Sequence, residues 1–175
     1  MSDSIQIRAA SPDDLHPLAN LARATFTQAY EEDMGSVATQ AHVATNLSNP
    51  SLRRMLLEDS FLVAELDEHL IGFVQVGSVN SEYAQHLQLF DAAANEVKRL
   101  YVLRAYQNRS IGSDLLQRGL QMIGEQSSVY VTTWETNLGA QRLYERSGFS
   151  KVGQIPEYAA NGVLNGYEFV MKRSN

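Results

Sequence analysis

The 175-residue chain has no cysteine, which excludes a disulfide framework, thiolate metal ligands and a cysteine nucleophile together. Proline occurs four times and tryptophan once, so no proline-rich tract is present. No apolar run approaches the roughly 20 residues a membrane-spanning helix requires. The opening MSDSIQIRAA has no basic region followed by an apolar stretch, so no secretory leader is expected and a cytoplasmic protein is. Basic residues are outnumbered, 14 against 20 acidic, for a net charge of −6. That balance opposes a nucleic-acid face and is mildly compatible with a cationic substrate. His16, His42, His69 and His86 are scattered without ligand spacing, so no metal is expected.

What is present describes an ordinary globular chain. Hydrophobic residues make up 44% and charged residues 19%, and the length suits one domain over residues 1–175 with a real core. Ile5 to Arg8 reads as a short strand. Ser11-Pro12-Asp13-Asp14 reads as a helix start, followed by Leu15, Leu18, Ala22, Phe26 and Ala29 at helical spacing. Helices are expected within Val37 to Leu47 and around Leu52 to Glu58. Phe61–Leu66 and Leu70–Val79 read as paired strands joined at Asp67-Glu68-His69. Asn80 to Asn95 is polar and irregular with room for a helical turn, and Glu96–Leu103 is a strand. Phe149–Val152 and Tyr167–Met171 read as closing strands, with a loop over Pro156–Asn165. Helices interleaved with strands imply an α/β fold, a mixed sheet covered on both faces.

The densest signal is LYVLRAYQNRSIGSDLL, from Leu100 to Leu116. An apolar strand ends at Leu103 and a polar turn carries Gln107-Asn108-Arg109-Ser110-Ile111-Gly112. An amphipathic helix follows, with Ile111, Leu115, Leu116, Leu120 and Ile123 on its apolar side. The first turn of a helix has main-chain N–H groups without intrahelical partners and a partial positive charge. Gly112 permits close approach to the backbone, and Arg109 adds a formal cation. A diphosphate suits that combination. The spacing fits neither a P-loop nor the three-glycine dinucleotide fingerprint.

A second segment, Val129 to Phe149, is a β-branched and aromatic strand followed by a helix. Asn137 is placed to cap that helix and Gly148 to follow its end. Positions 137, 140 and 144 fall on one helical face over roughly 10 Å, presenting an amide, a methyl and a phenol. A long thin ligand suits such a face.

The turn resembles the Gln/Arg-x-x-Gly-x-Gly/Ala loop of the GNAT superfamily of N-acetyltransferases, with Gln107, Ser110 and Gly112 at its defining positions. The second segment resembles that family's Asn-x-x-Ala-x-x-x-Tyr…Gly-Phe motif. The resemblance covers nearly the whole chain and is most specific from Glu96 to Phe149. Ser110 departs from it, since the family has glycine there. A serine keeps its N–H, so the cradle survives provided the backbone at 110 needs no positive φ. The resemblance implies a single-domain fold: a central mixed, mostly antiparallel sheet of six to seven strands, flanked by helices and splayed between its central strands.

It also implies acetyl-CoA as cosubstrate, with no metal, and N-acetyltransferase activity. The cofactor would lie on the main chain of Leu100, Tyr101 and Val102 and on the turn Gln107, Asn108, Arg109, Ser110, Ile111, Gly112 and Ser113. Asn137 would bond the pantetheine arm, Ala140 would make room for it, and Tyr144 would reach the thioester sulfur as an acid. Glu96, or a water chain in its stead, would act as base; a Val102 N–H would stabilise the oxyanion. In appearance the chain is nearest the bacterial spermine/spermidine acetyltransferases. Phe26, Tyr30 and Glu135, with the acidic Glu31-Glu32-Asp33, are then candidates for holding a polyamine. Other acceptors stay open: a protein N-terminus, an amino acid or an antibiotic amine. So does a catalytically silent acetyl-CoA sensor. The partner is a small-molecule or peptide amine, not nucleic acid or membrane, and relatives commonly form homodimers.

Overall fold

Short-range chemistry sets the first turns. Ser11 donates from its main-chain N–H (2.7 Å) and its hydroxyl (3.0 Å) to Asp14 Oδ2. Pro12–Asp14 is therefore a 3-10 turn and not the first turn of an α-helix; α1 begins at Leu15 and runs to Met34. Arg8, on β1 (Gln6–Ala9), grips Asp14 through both terminal nitrogens at 2.8 and 2.9 Å and also pairs with Glu65. The computed structural model describes residues 4–79, 86, 88–91, 93–124, 127–159 and 161–173. Part of the irregular stretch expected after Val79 lies outside these, at 80–85, 87 and 92.

The chain divides into two compact units, Met1–Gln75 with Arg99–Gly119, and Val76–Lys98 with Leu120–Asn175. The first contains β1, α1, α2 (Ser36–Asn46), α3 (Asn49–Glu58), β2 (Ser60–Leu66), most of β3 (His69–Ser78), the end of β4 (Asn95–Val102) and most of α4 (Ile111–Ile123). Its core gathers Leu18, Ala22, Leu52, Val63 and Phe73, with Tyr101 and Leu103 packed against it. The apolar stripe of α1 is buried as its spacing predicts from Leu15 to Phe26, but Ala29 is exposed. Helix α3 starts at Asn49, three residues before the expected Leu52, because Ser48 Oγ accepts the N–H of Ser51 and Pro50 sits in the first turn.

The second unit contains β5 (Val129–Trp134), α5 (Leu138–Arg146), β6 (Phe149–Tyr158) and β7 (Leu164–Arg173). Its core is built on Ala94, Tyr130, Ile155 and Val170. The expected loop over Pro156–Asn165 is much shorter than its composition suggests. β6 continues to Tyr158 and β7 starts at Leu164, pairing antiparallel through Pro156↔Tyr167 and Glu157↔Gly166. Strand β6 lies at a sheet edge, where a proline's missing N–H breaks no ladder. Register shifts between Lys151 and Gly153 and between Glu157 and Tyr158 absorb the irregular composition.

The seven strands run in the order β1-β2-β3-β4-β5-β7-β6. Pairing is antiparallel for β1–β2, β5–β7 and β6–β7 and parallel for β4–β5, so the sheet is mixed and mostly antiparallel. The parallel ladder covers Asn95↔Val129 and Glu96↔Tyr130. Among the described residues no helix is long and apolar enough to cross a membrane.

Candidate active site

In the first unit the end of β4 is fixed where Leu103 N–H donates to Ile71 O at 2.9 Å. Gly72 lets the two strands close up: a Cβ there would stand 3.0 Å from Tyr101 O and 3.1 Å from Val102 Cγ2. Arg104 then ties the turn to α1, its N–H donating to Gln28 Oε1 (2.9 Å) and its guanidinium to Gln28 O (2.6 Å). Gln107 folds back, donating from Nε2 to Val102 O at 3.0 Å. Its side chain braces the turn to the strand. Arg109 is exposed and lies 5.5 Å from the Tyr106 ring centre.

The backbone of this turn does not meet the condition set for Ser110. Ser110 has φ +63° and Asn108 has φ +60°, so the position where the family carries glycine does adopt the left-handed conformation. For a residue with a Cβ that conformation costs roughly 1–2 kcal/mol. The turn holds it because both flanks are pinned, by Gln107 to Val102 O on one side and by α4 on the other. Ser110 O accepts the N–H of Asp114 at 2.9 Å, which makes Ser110 the cap of α4. The amides of Ile111, Gly112 and Ser113 therefore precede the first intrahelical donor. Ile111, Leu115 and Leu116 are buried as their spacing predicts, anchoring the helix. Three first-turn amides beside one exposed guanidinium fit a diphosphate in donor chemistry.

In the second unit Asn137 caps α5 as expected, its Oδ1 accepting from Ala140 N–H at 3.1 Å. Gly148, with φ +88°, follows the helix. Along the face that carries 137, 140 and 144, Asn137 is exposed, Ala140 half-buried and Tyr144 buried. That face descends from solvent towards the core. The Tyr144 ring meets Phe149 edge-on, with centres 5.8 Å apart. Glu96 is buried on β4, opposite Tyr130 in the parallel ladder.

The candidate acceptor residues each have a partner within their own unit. Phe26 belongs to the first unit's core and stacks on His42 with ring centres 4.2 Å apart and an interplanar angle of 2°. Tyr30 is half-buried, its hydroxyl 3.4 Å from that of Tyr101. Glu135 has Oε1 taken by Tyr167 N–H at 3.0 Å, while its own N–H donates to Tyr167 O. It extends the β5–β7 ladder by a side-chain acceptor. Gly166, with φ +151°, makes room for this arrangement, since a Cβ there would fall 2.6 Å from Glu135 Oε1 and 2.8 Å from the Trp134 ring.

One polar group went unnoticed in the sequence. Gln75, inside the apolar run of β3 and almost wholly buried, donates from Nε2 to Asp59 Oδ2 at 2.6 Å and accepts at Oε1 from Arg99 Nη1 at 2.8 Å. A glutamine between Val74 and Val76 was the available signal, because a buried amide requires partners.

The acetyltransferase (GNAT) family profile matches residues 15–149, and the chain belongs to that family. It is similar to the N-alpha-acetyltransferase of Sulfurisphaera tokodaii, 28% identical over 109 residues, 60% of this chain. The match spans 65% of that protein's length. In fold the chain is similar to the PaiA N-acetyltransferase of Thermoplasma acidophilum in complex with coenzyme A, with a TM-score of 0.75 at 21% identity, covering 98% of this chain and 99% of that one. Ard1 of Thermoplasma volcanium gives a TM-score of 0.69 at 19% identity, covering 97% and 96%.

Proposed function

We propose that residues 1–175 act as one acetyl-CoA-dependent N-acetyltransferase domain whose acceptor is the α-amine of a peptide. The observation that carries the reading is the family match, which spans both the turn at 107–113 and the α5 face at 137–144. The amides of Ser110, Ile111, Gly112 and Ser113, with Arg109 beside them, hold the cofactor's diphosphate. The main chain of Leu100, Tyr101 and Val102 and the Nδ2 of Asn137 take the pantetheine arm, and Ala140 leaves it room. Acetyl-CoA supplies the activated acyl group.

The acceptor amine attacks the thioester carbonyl, the C–N bond forms, and the C–S bond breaks. Charge developing on the carbonyl oxygen is met by the Val102 N–H. The amine's surplus proton passes to Glu96, directly or through water, and the departing sulfur takes a proton from Tyr144. No covalent enzyme intermediate is required, in keeping with a chain that has no cysteine.

The α-amine is preferred to the polyamine because a relative, that of Sulfurisphaera tokodaii, is an N-alpha-acetyltransferase. Two of the side chains set aside for a polyamine are also engaged within their own units, Phe26 against His42 and Glu135 with Tyr167 N–H. The chemistry favours it too. With a pKa of about 7.7–8.0, roughly a tenth of a peptide α-amine is neutral at pH 7, against less than a thousandth of a lysine-like amine at about 10.4.

The test is acetyl transfer, read by product mass, to a peptide with a free N-terminus, the same peptide N-blocked but carrying lysine, and spermidine. Modification of the free N-terminus above the other two is the expected result. Faster modification of spermidine restores the polyamine reading. Stabilisation by acetyl-CoA without transfer to any amine describes a cofactor-binding sensor.

A further inference from the structure

Arg99 lies on β4 one residue before the main chain assigned to the cofactor, and the reaction as proposed gives it no part. It is half-buried, and its one hydrogen-bond partner among the described residues is the uncharged amide of Gln75. A guanidinium carries five N–H donors in a fixed fork. Gln75 occupies one terminal nitrogen and has no freedom to reorient, since its own Nε2 is committed to Asp59 Oδ2. Asp59 therefore helps to hold the charge and its direction without taking the fork. Among the described residues no other hydrogen bond takes the remaining donors of Arg99.

Strand alternation adds the surroundings. Arg99 and Tyr101 share one face of β4, and Glu96 projects to the other. On the Arg99 face Tyr101 packs against Phe73, with ring centres 5.8 Å apart, and its hydroxyl meets that of Tyr30. A half-buried cation with a neutral partner favours a carboxylate able to take the fork with two parallel hydrogen bonds. The overall field gives no such preference, because a chain of net charge −6 repels an acidic acceptor. Any selectivity for one has to come from a local group.

We propose that Arg99, aligned by the Gln75–Asp59 chain, is the receptor for a carboxylate side chain within the first three residues of the peptide acceptor, so that acidic N-termini are selected. The span is consistent: from Arg99 to Val102, where the acyl carbonyl is assigned, is about 10 Å of strand, the reach of two to three extended residues at about 3.3–3.6 Å each. The inference rests on the peptide reading above.

The test uses matched peptides that differ by Asp against Asn, or Glu against Gln, at the second position. For the wild-type protein kcat/KM should favour the acid about tenfold, carried by KM. In Arg99→Gln, which keeps an N–H for Gln75, the acid-over-amide ratio should fall to about one, and Arg99→Lys should restore part of it. A melting curve for each variant establishes folding. A wild-type ratio of one overturns the proposal. So does an Arg99→Gln that slows both peptides equally, since that is the mark of a merely structural role. Calorimetric titration of the CoA-loaded protein with the same pairs separates the two readings. Arg99-dependent binding of the acidic peptide with no transfer to any peptide overturns the function and leaves the receptor standing. No preference in binding overturns the receptor whatever the transfer assay gives.

Discussion

Asn137 carries two assignments that substitution can separate. Its Oδ1 caps α5 by accepting the Ala140 N–H at 3.1 Å, and its Nδ2 is assigned to a pantetheine carbonyl. Asn137→Asp keeps the acceptor oxygen and places a carboxylate at a helix N-terminus, where it is favourable, but removes the Nδ2 donor. Asn137→Ala removes both. Losing the cap should cost about 1 kcal/mol, which for a chain of this size lowers Tm by roughly 2–4 °C. Losing the pantetheine hydrogen bond should cost about 0.5–1.5 kcal/mol, a weakening of acetyl-CoA binding by roughly two- to tenfold. Thermal melting and isothermal titration with acetyl-CoA read the two quantities independently. Asp is expected to melt with the wild type and bind acetyl-CoA more weakly; Ala is expected to fall in both. An Asp variant with undiminished affinity would refute the pantetheine role and leave Asn137 as a cap alone.

Ser110→Gly should release the roughly 1 kcal/mol cost of a left-handed serine, partly offset by the greater freedom of glycine in the unfolded chain. Tm should rise slightly with acetyl-CoA affinity retained, whereas Ser110→Val should lower Tm; the reverse order contradicts the strain at φ +63°. Tyr144→Phe should slow transfer by about a hundredfold while titration still shows cofactor binding, and an unchanged rate removes Tyr144 from the chemistry. Gly166→Ala should destabilise by about 2–3 kcal/mol, because its Cβ would fall 2.6 Å from Glu135 Oε1; a melting curve like that of the wild type would refute it. The Arg8 hydrogen bonds hold the Asp14 carboxyl down from 3.8 to about 2. Its folded value is below its unfolded one, so its contribution is full above pH 3.8 and is lost as pH falls through about 2. At roughly 1.36 kcal/mol per pH unit this is about 2 kcal/mol, and Asp14→Asn should lower Tm at pH 7 while the gap to wild type closes near pH 2.

The parts legible in advance were those whose signal is local. Helix α4 announces itself by apolar spacing, and α5 by an asparagine cap and a glycine just past its end, so the turn and the 137–144 face are found without coordinates. What escaped depended on partners distant in sequence. Pro156 reads as a breaker until β6 is known to be an edge strand paired to β7. The glycine of the resembled loop raises the question of φ at Ser110, but a serine cannot answer it; the left-handed backbone is held between the contacts at Val102 O and Asp114 N. That Glu135 Oε1 accepts the Tyr167 N–H cannot be read from a residue 32 positions away. Gln75 looks like a flaw in an apolar strand until Asp59 and Arg99, 16 and 24 residues away, are seen to satisfy it.

The most direct measurement is a crystal structure of the protein grown with acetyl-CoA. The diphosphate oxygens are expected within about 2.7–3.2 Å of the main-chain nitrogens of Ser110 to Ser113, with Arg109 turned towards them. A coenzyme whose diphosphate binds elsewhere, or makes no contact with those amides, would contradict the reading of the turn on which the proposed activity depends.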